Sequence, residues 1–515
     1  MAVLVESSPY LVIPRVLGYR PEIVLPGTLL LLYICYHFGK IIYNIFFHPL
    51  ASVPGPKLYA ASSVFFARMV LRGKLPMEVH ELHEQYGEIV RISPDQITIT
   101  NPEAWKEVYG LRPGHPQRPK DQRHVSVGPN STPSILRTDD YNHGRYRRSL
   151  AHGFSEGSLQ KQEPIVKGYI DLLVQRLREQ IIKGNGSTMA DIIRWYNFTT
   201  FDIIGDLAFG ESFGCLDTSE YHFWVSVIFS HFRTATWANV LRRIPGGHWM
   251  MRYIVPKKVQ NQKRAQNQLT EAKVQSRIQK GSDRPDFLSN VLKHGVSEKG
   301  MTLDELVANS YVLIIAGSET TATLLSGVTY YILTVPGVFD KLKAEIRGSF
   351  SSEEQITWSA VNQLKYTLAV LNEGLRMYPP VPFGFPRMVE GEGDYICGKW
   401  IPGGTSVGVP MLATQRSSLN FKKPNSFIPE RFLGDPEFDL DKRHALQPFS
   451  LGPRNCLGRN LAYAEMRLII ARVIWNFDME LAPESQGWID QLSFVVWEKP
   501  ELRVKLTPAA HTVAY

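Results

Sequence analysis

The chain reads as a mainly α protein with small β-sheets, preceded by one membrane-spanning helix. Three observations carry that reading. Residues 23–47 are dominated by apolar side chains, including Leu29-Leu30-Leu31-Leu32-Tyr33-Ile34. Residues 163–333 show mainly helical periodicity, closing with one helix of roughly 30 residues. Short alternating segments stand apart from these: Tyr86 to Ile92 with Gln96 to Thr100 as a hairpin, then strands near 382–405 and the C-terminus.

About 20 apolar residues span a bilayer core, so 23–47 is expected to be a retained anchor rather than a core helix. Lys40 can snorkel from one end, and a small-residue cleavage site of the secretory kind is lacking. Val53-Pro54-Gly55-Pro56 then forms a stiff turn that a helix cannot cross. The expected organisation is an N-terminal segment over 1–50 and a single large domain over 51–515. With 515 residues, 44% apolar and 21% charged, the chain is globular in composition. A net charge of +8 admits nucleic acid, an anionic membrane or an acidic partner. With neither zinc spacing nor a long basic run, nucleic acid is not expected. Cys35, Cys215, Cys397 and Cys456 lie far apart and suggest a reducing compartment. The sequons at Asn130, Asn185 and Asn197 would stay unmodified in a cytosolic domain.

The stretch 110–137 reads as a long loop, and loops of that length tend to be functional. Thr302-Leu303-Asp304-Glu305 has capping-box form and opens the long helix, which stops before Pro336. In its middle lies Ala316-Gly317-Ser318-Glu319-Thr320. Gly317 is expected to leave room for a flat ligand or dioxygen, and the Thr320 hydroxyl to bond the Ala316 carbonyl one turn back. Glu373 and Arg376 share a helix face ahead of Pro379-Pro380. The same Glu-x-x-Arg spacing at Glu88 and Arg91 falls in a strand, where the two would face opposite ways.

The most specific segment is Phe449-Ser450-Leu451-Gly452-Pro453-Arg454-Asn455-Cys456-Leu457-Gly458. It sets one cysteine in a glycine-punctuated loop just before a helix, whose N-terminus favours thiolate over thiol. Gly452 and Gly458 are expected to let a flat ligand approach the backbone. A lone cysteine is usually a buried structural residue; the matched positions around this one argue for an axial ligand of haem iron.

This loop, with the other motifs in their order, resembles the cytochrome P450 family over about residues 50 to 510. The general look, Phe46-Phe47-His48-Pro49-Leu50 included, is similar to fungal enzymes of secondary metabolism, the isotrichodermin-hydroxylase type. The resemblance implies the P450 fold and a haem with Cys456 as thiolate ligand. It implies that Glu319 and Thr320 help hold dioxygen and deliver protons to it. By the same match His143, Arg147, Arg387 and Arg454 face the haem propionates, Phe449, Gly452, Gly458, Ala316 and Gly317 frame the ring, and Glu373, Arg376 and Arg431 form a structural network behind the cysteine loop. It further implies electrons from NADPH through a cytochrome P450 reductase, O2, a lipophilic small-molecule substrate, and a single-pass endoplasmic reticulum anchor with the catalytic domain in the cytosol. Arg145, Arg148, Lys442, Arg443 and Arg459 could form a basic face for an acidic flavoprotein. Val312, Leu313, Ala316 and 381–385 are candidate pocket positions. Oxygen insertion is the expected reaction; oxidative coupling, dehydration or isomerisation on the same haem, or haem binding without catalysis, are the alternatives.

Overall fold

The computed structural model describes residues 21–512 apart from 113, 125–131, 244–248, 251–256, 282–283 and 294–299. Helix α1 (Pro21–Ile42) leads into a π-helical turn, and the apolar stretch Val24–Phe47 is only 6% buried. Leu29 to Leu32 are each about 60% exposed. A face this apolar, left uncovered by the other described residues, needs another apolar phase, and its length suits a bilayer. This helix is a candidate membrane anchor and not a core element.

After α1 come α2 (Ser63–Leu71), α3 (Leu75–Tyr86), β1 (Ile89–Ser93) and β2 (Gln96–Ile99). Arg91 does not pair with Glu88. Its guanidinium donates instead to the carbonyls of Asn44, Leu50 and Pro94, at 2.8, 3.4 and 2.7 Å, and its N–H to that of Pro54 at 2.7 Å. The proline-rich stretch is therefore fastened to β1, a tie that its sequence did not announce.

The helical part includes α4 (Asp140–Ala151), α5 (Glu156–Lys183), α6 (Ile192–Phe209), α7 (Phe223–Leu241), the 32-residue α8 (Leu303–Thr334) and α9 (Lys365–Met377), with a 23-residue helix Lys257–Gln279 between α7 and α8 and short helices elsewhere. The capping box of α8 is present, Thr302 N–H on Glu305 Oε2 at 2.9 Å and Glu305 N–H on Thr302 Oγ1 at 3.3 Å. At 1.5 Å per residue α8 is about 48 Å long. It is as apolar as a membrane span, yet 72% of its most apolar window is buried, which makes it the central core helix.

A strand that helical patterning concealed, β3 (Thr188–Asp191), precedes α6. Later come β4 (Arg387–Met388), a separate hairpin, β5 (Ser406–Gly408), α10 (Arg459–Asn476), β6 (Phe477–Leu481), β7 (Leu492–Phe494), β8 (Val496–Glu498) and β9 (Arg503–Pro508). One sheet runs β1-β2-β5-β4, with Ile97 opposite Val407 in parallel and Arg387 opposite Val407 in antiparallel register. This register brings Arg387 beside the first hairpin. A second sheet runs β3-β9-β6, and β7 and β8 form a hairpin. Asn130 lies outside the described residues. Asn185 is exposed, whereas Asn197 is fully buried inside α6 and out of reach of any modifying enzyme.

Glu465 on α10 is 3% exposed and bonded to Thr321 of α8; burial pushes its pKa up from 4.5 to about 8. Because the folded value is raised, its contribution to stability is whole below about pH 4.5 and is lost as pH rises through 8. Across that window the native protein should lose about 1.4 kcal/mol per pH unit from this group. Urea unfolding at several pH values should therefore show Glu465→Gln gaining on the native chain as pH rises. A constant offset at all pH values would mean that Glu465 is ionised in the fold.

Candidate functional site

The cysteine loop is shaped by its own backbone. Cys456 N–H donates to the Phe449 carbonyl at 2.9 Å, and Asn455 N–H to that of Gly452 at 3.0 Å. Gly452 has φ of 82°, and a Cβ there would sit 1.9 Å from the Tyr109 carbonyl oxygen. The glycine is thus required by the 109–110 backbone crossing over the loop, rather than by a ligand. Gly458, at φ of −87°, needs no special freedom; it caps α10 and its N–H bonds the Cys456 sulfur.

Cys456 presents open surface although it lies deep among protein atoms, as a residue on the wall of an internal recess does. Burial pushes its thiol pKa up, while the Gly458 N–H and the charges of Arg147 and Arg459 act the other way. The N–H at the start of α10 thus acts in the expected direction, against the burial. A cationic metal in contact would deliver the thiolate, because coordination deprotonates a thiol outright.

On α8, Val312, Ala316 and Thr320 recur at four-residue intervals, each with open surface. Thr320 Oγ1 donates to the Ala316 carbonyl at 2.6 Å, and the helix continues unbroken. Gly317 is turned elsewhere: a Cβ would meet Ile204 Cδ1 at 2.4 Å, so the glycine lets α6 close on α8 instead of making room for a ligand. Leu313 likewise belongs to the core.

Glu319, next to Thr320 in sequence, faces a different way, as adjacent helical residues do. It is 1% exposed and its Oε1 is bonded by Lys499 Nζ and, at 3.2 Å, by Thr323 Oγ1. Lys499 Nζ also reaches Thr323 Oγ1 at 2.5 Å. Glu319 Oε2 is buried with no partner among the described residues. A direct hand-over between Glu319 and Thr320 is thus not built into the resting structure.

Around the loop the charge is basic. His143, Lys120, Arg387 and Arg454 lie within one another's fields: burial, then Arg454, Lys120 and Arg147, push the His143 pKa down to about 3. Burial lowers Arg387 to about 10, with Arg454 adding to the shift, and drives Lys120 well below the usual range. Arg454 donates through Nη2 to the Thr138 carbonyl at 2.9 Å and to Asp140 at 2.7 Å. The Nη1 atoms of both Arg387 and Arg454 are buried and unpartnered among the described residues. Two orphaned guanidinium donors in a basic recess are what a ligand with two carboxylates would satisfy, so the residues present fit a haem. Arg147 departs from the expected role, since its two terminal nitrogens go to Asn455, on the carbonyl at 2.8 Å and on Oδ1 at 2.6 Å. It pins the cysteine loop rather than offering a free donor. Lys120, from the long loop, is the member that sequence reading missed.

Glu373, Arg376 and Arg431 meet with no exposure at all: Arg376 forks onto Glu373 at 2.7 and 2.8 Å, and Arg431 Nε reaches it at 3.1 Å. Asp441 joins them, 2.5 Å from Arg431. Arg145 turns inward onto Glu305 at 2.5 Å, which removes it from any exposed basic face; Arg148, Arg443 and Arg459 remain on the surface.

Comparison with known proteins agrees with this geometry. The family model described as Cytochrome P450 matches residues 53–506. The chain is 45% identical to cytochrome P450 monooxygenase astA of Talaromyces wortmannii, over 95% of this chain and 98% of that one. It is 44% identical to averantin hydroxylase of Dothistroma septosporum, over 91% and 88% of the two chains. With cytochrome P450 monooxygenase aclL of Aspergillus oryzae it shares 43% identity, over 92% and 96%.

Proposed function

Because the chain belongs to the cytochrome P450 family and is an oxidoreductase of its monooxygenase kind, we propose that Cys456 is the thiolate ligand of its haem and that the protein inserts one atom of O2 into a lipophilic small molecule. The observation that carries the assignment is the pair of buried, unpartnered Nη1 atoms on Arg387 and Arg454 beside the cysteine loop. A thiolate-held haem supplies the activation of dioxygen; the protein's part is to hold and protect it. Arg387, Arg454 and His143 would receive the propionates, with Lys120. Arg147 fixes the loop through Asn455, and the Glu373–Arg376–Arg431 network braces it from behind. Ala316 leaves the open face of α8 low, and Thr320 Oγ1 sits one turn further along the same face. Glu319 Oε2 is the carboxylate oxygen free to take a proton donor.

Family membership implies O2, a redox partner and a small-molecule substrate. In this reading the partner is NADPH-cytochrome P450 reductase, docking on the surface cations Arg148, Lys442, Arg443 and Arg459. Residues 1–50 hold the protein by a single pass in the endoplasmic reticulum membrane, and 51–515 form the cytosolic catalytic domain. The substrate step is a tailoring oxidation in a secondary-metabolite route, as the names of the relatives suggest. The test is the carbon monoxide difference spectrum of the reduced, membrane-bound protein, where a strongly red-shifted Soret band is expected. Its absence from folded, haem-loaded protein would overturn the reading. Thr320→Ala should then lower product formed per NADPH several-fold and raise peroxide release, measured as coupling; general acid–base groups of this kind contribute about 10²–10⁴-fold. Unchanged coupling would remove Thr320 from oxygen handling.

A further inference from the structure

Phe385, two residues before Arg387, lines a cavity of about 70 Å³. A site enclosing a whole drug-sized ligand measures roughly 300–1,000 Å³, so this one suits a substituent. Four phenylalanines line it, Phe66 from α2, Phe383 and Phe385 after Pro380, and Phe494 at the end of β7, alongside aliphatic residues such as Val70, Leu75 and Val240. Val495, at the turn of the β7–β8 hairpin, also lines it and has φ of 78°. A β-branched residue rarely adopts such a backbone, and strain of this kind gathers where ligands bind.

Set into these walls are Arg123, His124 and, just past the end of α7, Arg243. Arg123 is satisfied by Asp121 at 2.8 Å and Asp95 at 2.5 Å. Arg243 is not. Its guanidinium lies 4.2 Å from the centre of the Phe66 ring, and Nη2 donates to Gln96 Oε1 at 2.9 Å and to His124 Nε2 at 2.5 Å. Its Nη1 is buried with no partner among the described residues. His124 stays neutral and adds no charge of either sign, because burial and then Arg243 push its pKa down to about 3. The two carboxylates balance the cluster's charge and both bond Arg123 rather than Arg243, while Asp95 Oδ1 is buried without a partner among the described residues. A buried donor without an acceptor costs about 1–3 kcal/mol, more when charged, and an acceptor from outside would recover that.

We infer that this cavity receives an anionic oxygen at the edge of a planar aromatic substrate, a carboxylate or an ionised phenol, with Arg243 Nη1 as its donor. The inference rests on the monooxygenase reading and names its substrate class. Guanidinium donors bind such oxygens with charge-assisted bonds, while the phenylalanine faces take the ring.

The full-length, haem-loaded protein is titrated calorimetrically with naphthoate, its methyl ester, and an acidic phenol ionised at the assay pH. One of the two anions should bind about tenfold or more tightly than the ester, as a charge-assisted bond requires. Whichever anion wins identifies the source of the oxygen. In Arg243→Gln that preference should fall to within about twofold, with Arg243→Lys intermediate, since it keeps charge but loses the fork. Should the Gln variant fail to fold, the Lys variant decides, and an undiminished anion preference there overturns the inference. So do equal binding of ester and anions, no anion binding, or a preference that survives in Arg243→Gln. The carbon monoxide spectrum of the same samples separates the two readings. Its loss in the native chain strikes the haem-thiolate assignment, whereas an intact band without anion preference strikes only this one.

Discussion

Cys456→Ser is expected to abolish the strongly red-shifted Soret band of the reduced carbon monoxide complex and to take monooxygenase turnover below detection, while leaving the fold nearly intact. The two effects separate because the sulfur does one job and the backbone another. The loop is held by the Cys456 N–H on the Phe449 carbonyl and by Arg147 on Asn455, neither through Sγ; the Gly458 N–H does bond the sulfur, and a serine hydroxyl oxygen can accept it. Serine is close in size and keeps them. What it cannot supply is a polarisable anionic donor. A hydroxyl is far less acidic than a thiol, in a recess where burial already opposes ionisation of Cys456, and the electron donation that favours O–O cleavage goes with the sulfur. The checks are the difference spectrum, haem content and urea unfolding of the same preparation. A thiolate-type band retained in the serine variant would remove Cys456 from the iron. An unfolded variant would show that the sulfur also carries packing, and Cys456→Ala would then be read by haem content alone.

What could be read before the structure was local. The capping box at Thr302 and Glu305, the Glu373–Arg376 pair and the cysteine loop all lie within ten residues, and fixed spacing on a helix or turn determines their geometry. The apolar character of α1 was legible for the same reason. What escaped was set by contacts between distant segments. Lys499 meets Glu319 across 180 residues, and Arg91 reaches back 47 residues to Asn44. No periodicity in one stretch reports a partner in another. The glycines show the limit best. Gly317 and Gly452 were noticed because glycine is costly in a helix and permissive in a loop, yet what fills the space beside each is Ile204 in one case and the Tyr109 carbonyl in the other. Composition announces a close approach without naming what approaches. The basic recess was half legible for a related reason: His143 and Arg454 stand in motifs, whereas Lys120 comes from an irregular loop and reaches Arg387 only through an isolated bridge.

Glu373→Gln should cost about 3–5 kcal/mol, the usual penalty for breaking a buried ion pair, out of roughly 5–15 kcal/mol for a folded protein. In urea unfolding the midpoint should fall accordingly, and the yield of haem-loaded protein with it. The burden falls on one residue. Arg431 keeps Asp441 at 2.5 Å, so its charge remains neutralised. Arg376 has no second carboxylate among the described residues; besides Glu373 it meets the carbonyls of Gln415, Pro424 and Ser426, at 2.9, 2.6 and 2.9 Å, and the sulfur of Met377. Those bonds, with Ile428 N–H on Glu373 Oε1 at 2.7 Å, tie α9 to the stretch that runs on into the cysteine loop. The glutamine amide can still accept from Ile428, so the loss should come mainly from the stranded guanidinium. That makes the origin of the loss measurable. If charge is responsible, adding Arg376→Met to Glu373→Gln should cost much less than the sum of the two single changes, because the second removes the unpaired cation that the first created. If the two losses simply add, the network acts through its hydrogen bonds to the 415–428 backbone, and the ion pair itself contributes little to the position of Cys456.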